Sequence, residues 1–90
     1  MLMSEATIDL VRNALVQALS PTFLDIEDEG YLHHGHAAAA SGLGYFCVTI
    51  WSEAFAGCSR IDIHKKIYHA LGTLMQTHIH ALSIVIKKPL

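Results

Sequence analysis

The sequence predicts an α+β domain in which helices pack on one side of a three-stranded mixed β-sheet. Apolar residues recur at helical spacing over residues 4–19 and again from residue 59 to about residue 76. Three other segments have the alternating or β-branched composition of strands. Because the second of the two long helices lies between the second and third strands, those two strands are predicted to run parallel. We therefore expect one domain over residues 1–90.

The first predicted element is a helix over residues 4–19. It ends at Ser20, because Pro21 pushes the residue before it out of the helical region. Its apolar residues lie three or four positions apart and share one face: Ile8, Val11, Leu15 and Leu19.

Two strands with a long connection follow. Residues 23–29 alternate apolar and acidic side chains, and residues 45–52 are rich in aromatic and β-branched side chains. Residues 30–44 contain four glycines, four consecutive alanines and three histidines, without the periodicity of a helix or a strand. We expect this stretch to be a flexible loop, and long loops inside compact domains usually have a function.

The remaining elements are a short helical turn, a long helix and a third strand. The turn is predicted within residues 53–57, and Ser59 with an acid three residues later predicts the start of the helix. Residues 79–86 are rich in apolar residues on both faces and predict the third strand. The helix is expected to run to about residue 76, with one face formed by His64, Ile67, Tyr68, Leu71 and Met75.

Composition excludes several classes of protein. With 52% hydrophobic and 16% charged residues, the chain does not resemble a disordered one. Cys47 and Cys58 are too few for a disulfide framework and lack CxxC spacing. No nucleophile elbow, Walker loop or dinucleotide fingerprint is present, so we expect no enzyme. Glu5 and Asp9 are atypical of a signal peptide and no segment suits a membrane span, so a cytoplasmic domain is expected.

The charges are divided unevenly along the chain. Residues 1–58 hold seven acidic residues and one basic residue, whereas residues 59–90 hold five basic residues and one acidic residue. The basic segment is consistent with an anionic partner such as nucleic acid, and equally with a dipolar surface that has no partner. A recognition helix would use His64, Lys65 and Lys66. Because the isoelectric point is only 6.3, an ordinary solvated lysine pair is favoured.

Seven histidines are the most unusual count in the sequence. Imidazole titrates near neutral pH and is the commonest metal ligand. His33, His34 and His36 on the loop are either ligands of a metal or cluster, or solvated side chains. His78 and His80 have rings on the same side if both are extended. If the third strand begins between them, the sheet orients His80 alone.

Four strings of this sequence together resemble the BolA family. They lie, in chain order, in the predicted loop, in the second strand and the residues that follow it, in the long helix, and at the start of the third strand. The resemblance covers residues 5–89. The strings are GHA at residues 35–37, FCVTIWSEAFAG at 46–57, HKKIYHAL at 64–71 and HAL at 80–82.

The resemblance implies a class II KH-like fold and partnership with a monothiol glutaredoxin. In such a heterodimer, the glutaredoxin cysteine and glutathione hold one side of a 2Fe–2S cluster. The BolA-like partner supplies a histidine that corresponds to His80 and a loop ligand that best corresponds to His36, with His34 and His33 as further candidates. The resemblance thus implies a cluster in the heterodimer and not in the isolated chain, for iron–sulfur trafficking or iron sensing.

Some BolA-family members are described as DNA-binding regulators of transcription, which gives an alternative function. Two positions depart from the family pattern: Tyr45 replaces the usual histidine and Ile63 replaces the usual arginine. A simple divalent-metal site among the histidines is a third alternative. Alone, the chain is expected to be a monomer or a weak homodimer. For DNA binding, the residues concerned are Arg60, His64, Lys65 and Lys66.

Overall fold

A computed structural model describes residues 3–29 and 44–89 of the chain. The predicted order of helix, two strands, short turn, long helix and strand is confirmed, and so is the α+β class. The predicted loop over residues 30–44 lies outside the described residues except for Gly44. The elements are α1 (Met3–Leu19), β1 (Phe23–Asp28), β2 (Gly44–Trp51), a 3₁₀ turn (Glu53–Phe55), α2 (Arg60–Leu71), α3 (Leu74–Thr77) and β3 (Ile79–Ile86).

The three strands form one mixed sheet in the order β1-β2-β3. β1 and β2 are antiparallel, with Phe23 opposite Trp51, and β2 and β3 are parallel, with Ile50 opposite Ile86. The predicted parallel pair is therefore confirmed. It follows from the connection, because a helix carries the chain back to the starting end of the sheet before β3 begins.

One face of the sheet packs on the helices and forms the core. α1 contributes Val11 and Leu15, which are fully buried, and α2 contributes the buried Ile67. The strands contribute alternate residues to the same core, as the period of two requires. These are Leu24 and Ile26 of β1, Phe46, Val48 and Ile50 of β2, and Leu82, Ile84 and Ile86 of β3.

The end of α1 is joined to the end of β2 by a buried serine. Ser20 has a φ of 46°, so the chain leaves the helix immediately before the proline, as predicted. The hydroxyl of Ser52 donates to the carbonyl of Leu19 and accepts from the N–H of Ala54. This side chain therefore satisfies a carbonyl at the C-terminus of α1 and caps the 3₁₀ turn.

The prediction of one helix from Ser59 to about residue 76 is correct as far as Leu71 and wrong beyond it. Ser59 caps the start as predicted, but α2 ends at Gly72, which has a φ of 54°. Glycine adopts that conformation at little cost, so it ends the helix where a side chain would be strained. Residues 74–77 form the separate α3.

The predicted buried face of this helix is also wrong in part. Ile67 and Leu71 are buried as expected, but Tyr68 is 41% exposed and His64 is only half-buried. Ile63 is buried instead, because it lies one turn before Ile67 on the face that contacts the core. Within residues 3–29 and 44–89, no helix has the length and apolar content to cross a membrane.

Candidate functional site

His80 lies at the beginning of β3, beside the point where the chain enters β2. Its neighbour Ile79 is 1% exposed and pairs with Gly44, the first residue of β2. His80 itself is exposed. The sheet therefore fixes the backbone of this histidine while its side chain remains in solvent, next to the end of the segment that carries the loop histidines.

The ring of Tyr45 contacts the ring of His80 from one side. The two centroids are 5.0 Å apart and the planes meet at 62°, which is an edge-to-face arrangement. Tyr45 is 5% exposed, so a buried aromatic side chain supports an exposed imidazole. The sequence showed Tyr45 only as a departure from a family pattern. Its contact depends on the shift in register between β2 and β3 at this point.

Among the described residues, the side chain of His80 makes no hydrogen bond or ion pair. Its imidazole nitrogens are accessible to a ligand from outside, which is what a shared metal centre requires.

His78 is placed quite differently, since it ends α3 and precedes the strand. Its φ of −127° and ψ of −23° are not those of a strand, so the sheet orients His80 alone. Its Nδ1 lies 2.7 Å from the hydroxyl of Thr77, which donates to the carbonyl of Thr73. Which of the two groups donates in this contact depends on the tautomer of His78.

The predicted loop ligands His33, His34 and His36 lie outside the described residues, so their roles stay predictions. Within residues 3–29 and 44–89, no group of three or more His, Cys, Asp or Glu side chains could hold a metal ion. A centre that uses His80 therefore needs its other ligands from the loop or from another molecule.

Cys47 faces the side of the sheet that the described helices leave uncovered, opposite Glu27 on β1. Burial raises the pKa of the Cys47 thiol, and the carboxylates of Glu29, Glu27 and Asp25 raise it further. The thiol is therefore protonated at neutral pH and is a poor thiolate ligand. The sequence did not indicate the raised pKa, because the acidic side chains lie on or just after β1 and Cys47 lies on β2.

The candidate nucleic-acid residues lie on or beside the exposed surface of α2. Arg60, Lys65 and Lys66 are exposed, and His64 is half-buried. Among the described residues, none of these cations has a carboxylate within salt-bridge distance. They are therefore available to phosphates, although Asp62 lies on the same helix.

Comparison with known proteins identifies the family. The family model described as BolA-like protein matches residues 15–90. The chain belongs to the BolA family. Its fold is similar to that of a solved relative, the BolA domain of SufE1 from Arabidopsis thaliana, with a TM-score of 0.76 and 36% identity over 99% of this chain and 96% of that one.

Two curated relatives indicate how varied this family is. SufE-like protein 1 of Arabidopsis thaliana is 39% identical over 84 residues, which are 88% of this chain and 23% of that protein. The relative named DNA-binding transcriptional regulator BolA, from Escherichia coli strain K12, is 32% identical over 74 residues, which are 82% of this chain and 68% of that protein. This BolA-family chain therefore spans about a quarter of one relative and most of another.

Proposed function

We propose that this BolA-family chain is a non-enzymatic partner of a monothiol glutaredoxin and co-ligates a 2Fe–2S cluster through His80 and a loop histidine. The observation that supports the proposal is an exposed imidazole, carried by β3 and in contact with the ring of Tyr45, that makes no hydrogen bond or ion pair among the described residues. Its neighbour Ile79 pairs with Gly44, which follows the loop containing His36.

The donor set suits a cluster shared between two proteins. At the start of β3 the chain offers the exposed imidazole of His80, and within residues 3–29 and 44–89 no group of three or more His, Cys, Asp or Glu side chains could hold a metal ion. When bound, a cluster with imidazole on one iron has a higher reduction potential than one with four thiolates. His80 would hold the iron together with His36, or with His34 or His33, while the glutaredoxin and glutathione hold the other side.

The test is reconstitution of the purified chain with a monothiol glutaredoxin, glutathione, iron and sulfide. We expect a heterodimer with visible absorption and circular dichroism different from those of the glutaredoxin alone. His80→Ala should remove that difference, whereas His69→Ala, which alters an exposed histidine on α2, should preserve it. An unchanged spectrum in His80→Ala would contradict the ligand assignment.

The second ligand is tested by three separate substitutions on the loop. We expect His36→Ala to alter the visible spectrum, with His34→Ala and His33→Ala as the matched controls. A change in His34→Ala or His33→Ala, with none in His36→Ala, would move the assignment to that residue. No change in any of the three would show that the second ligand lies elsewhere.

Nucleic-acid binding through α2 is a second candidate, supported by the exposed Lys65 and Lys66 and by the names of bacterial relatives. A gel shift across a salt series tests it. Specific binding that persists at about 150 mM salt and is lost in the Lys65→Gln/Lys66→Gln variant would support this function. Binding that disappears at that salt concentration, or that is unaffected by the double substitution, would contradict it.

A further inference from the structure

A cavity of about 390 Å³ lies where β2 ends and α2 begins. Ligand pockets in proteins usually measure about 300–1,000 Å³, so this one has room for a small molecule. Aromatic and aliphatic side chains form most of its wall, and two exposed cations stand at it. Its lining residues are Trp51, Phe55, Ala56, Gly57, Cys58, Arg60, Ile63, Ile86 and Lys88.

The cavity is distinct from the His80 site. Tyr45, which contacts His80, and Trp51, which lines the cavity, are six residues apart on the same strand, a separation of roughly 20 Å. Of the candidate nucleic-acid residues, only Arg60 lines the cavity, and Lys65 and Lys66 do not. Neither the proposed cluster nor the lysine pair therefore accounts for it.

Two cations supply the charge of this cavity. Arg60 begins α2 and Lys88 follows β3, so residues far apart in sequence bring two positive charges to one opening. Neither has a carboxylate within salt-bridge distance among the described residues. Two uncompensated cations beside an apolar wall favour an anion that carries an apolar group.

Trp51 adds an independent observation. Its side chain is 7% exposed and packs edge-to-face on Phe55, with ring centroids 5.7 Å apart. Its Nε1 is buried and donates to no acceptor among the described residues. Buried indole N–H groups usually have a partner, so this side chain of the cavity wall keeps a donor that nothing among the described residues satisfies.

We propose that this cavity binds a small organic carboxylate with an aromatic or compact apolar body. The apolar body would lie against Trp51 and the half-buried Ile86, and the carboxylate would lie between Arg60 and Lys88. Phosphate is a poorer fit, because its three oxygens need several convergent donors and most of this wall is apolar. The size of the cavity and its mainly apolar wall indicate a free small molecule as the occupant.

The test uses 3-phenylpropionate as the probe and the fluorescence of the full chain as the readout. Trp51 is the sole tryptophan and lines the cavity, so its emission and its single indole N–H resonance report on this end of the sheet. We expect saturable changes in both signals with 3-phenylpropionate, and much weaker ones with 3-phenylpropanamide or with acetate. These controls lack the charge and the apolar body respectively.

Variants distinguish the cavity from general attraction of anions. Arg60→Gln and Lys88→Gln should each weaken binding of 3-phenylpropionate about two- to fivefold, as expected for exposed ion pairs. Lys65→Gln and Lys66→Gln, which remove equal charge outside the cavity, should have no effect. Ala56→Leu, which narrows the cavity without a change in charge, should also weaken binding.

Three results would overturn the proposal. One is a fluorescence change that is equal for 3-phenylpropionate and its amide, since the charge would then be irrelevant. Another is equal weakening by Lys65→Gln and Arg60→Gln, which would indicate a diffuse basic surface. The third is stronger binding of inorganic phosphate or of an oligonucleotide with the same dependence on Arg60, which would reassign the cavity to a phosphate ligand.

Discussion

Where β2 begins, the ring of the buried Tyr45 contacts the exposed His80, and Gly44 pairs with Ile79. Where β2 ends, Trp51 lines a cavity with Arg60 and Lys88 at its opening. The first end exposes the imidazole of His80, and the second exposes the two cations Arg60 and Lys88. The difference shows that one strand presents different chemical groups at its two ends, which are about 20 Å apart.

The largest expected effect is on the cavity end. Phe55 is 1% exposed and packs on Trp51, so Phe55→Ala should lower the free energy of unfolding by about 3–5 kcal/mol. Urea denaturation measures this loss. Because the His80 end is built from other residues, the variant should still form the proposed heterodimer under native conditions. A loss below about 1 kcal/mol would mean that this end is loosely packed.

A smaller effect is expected from Gly44→Ala at the His80 end. A Cβ at this position would collide with the ring of Phe46, which is 1% exposed and has no room to move. Overpacking of this kind costs about 1–3 kcal/mol. Thermal denaturation gives the loss, and the spectrum of the reconstituted heterodimer should also change, since Gly44 pairs with Ile79 beside His80. Full stability in the alanine variant would contradict the close contact.

Ser52→Ala should have a somewhat smaller effect, about 1–2 kcal/mol. The substitution removes the donor to the Leu19 carbonyl and the cap of the 3₁₀ turn. Urea denaturation is the measurement, and Ser83→Ala, on an exposed position of β3, is the control that should change little. Equal effects from the two substitutions would show that the buried hydroxyl does not join α1 to β2.

The smallest expected effect concerns the thiol of Cys47, which lies on β2 between its two ends. Because the folded pKa of Cys47 is raised, the protonated form stabilises the fold. That contribution is complete below the pKa of the unfolded thiol and is lost as the pH rises through the folded pKa. In a Cys58→Ala background, alkylation of Cys47 near pH 8 should therefore be slower than in the urea-unfolded chain.

Removal of one nearby charge should sharpen this comparison. Glu27→Gln should raise the alkylation rate of Cys47 by less than about threefold, because the carboxylate is exposed and solvent screens it. Glu53→Gln, which alters an acid on the 3₁₀ turn, is the control. Faster alkylation of Cys47 in both variants, or in neither, would show that the carboxylate of Glu27 does not affect this thiol.

Much of this fold is predictable because its signals are local. The bounds of β3 and the end of α1 before Pro21 follow from residue pattern and backbone restriction. The face of α2 is less predictable, since His64 with Tyr68 and Ile63 with Ile67 both have helical spacing. Packing against the core decides that Ile63, and not His64, is buried. The end of α2 at Gly72 was missed because the helical spacing of apolar residues continues to Met75.

The candidate site was predictable only where its residues belong to a local pattern. His80 was identified from its resemblance to a family string, and its exposure follows from its place at the start of a strand. The contact with Tyr45 depends on a register shift that the sequence does not reveal. The cavity joins residues from three segments, including Trp51 and Lys88, so no local pattern could predict it.

The most direct test of the account compares the two ends in one experiment. The spectrum of the reconstituted glutaredoxin heterodimer and the binding of 3-phenylpropionate are both measured for His80→Ala and for the Arg60→Gln/Lys88→Gln variant. We predict that His80→Ala removes the heterodimer's distinct visible spectrum and preserves carboxylate binding, while the double variant does the reverse. A heterodimer spectrum that survives His80→Ala, or that is lost only in the double variant, would contradict the central claim that His80 is the cluster ligand.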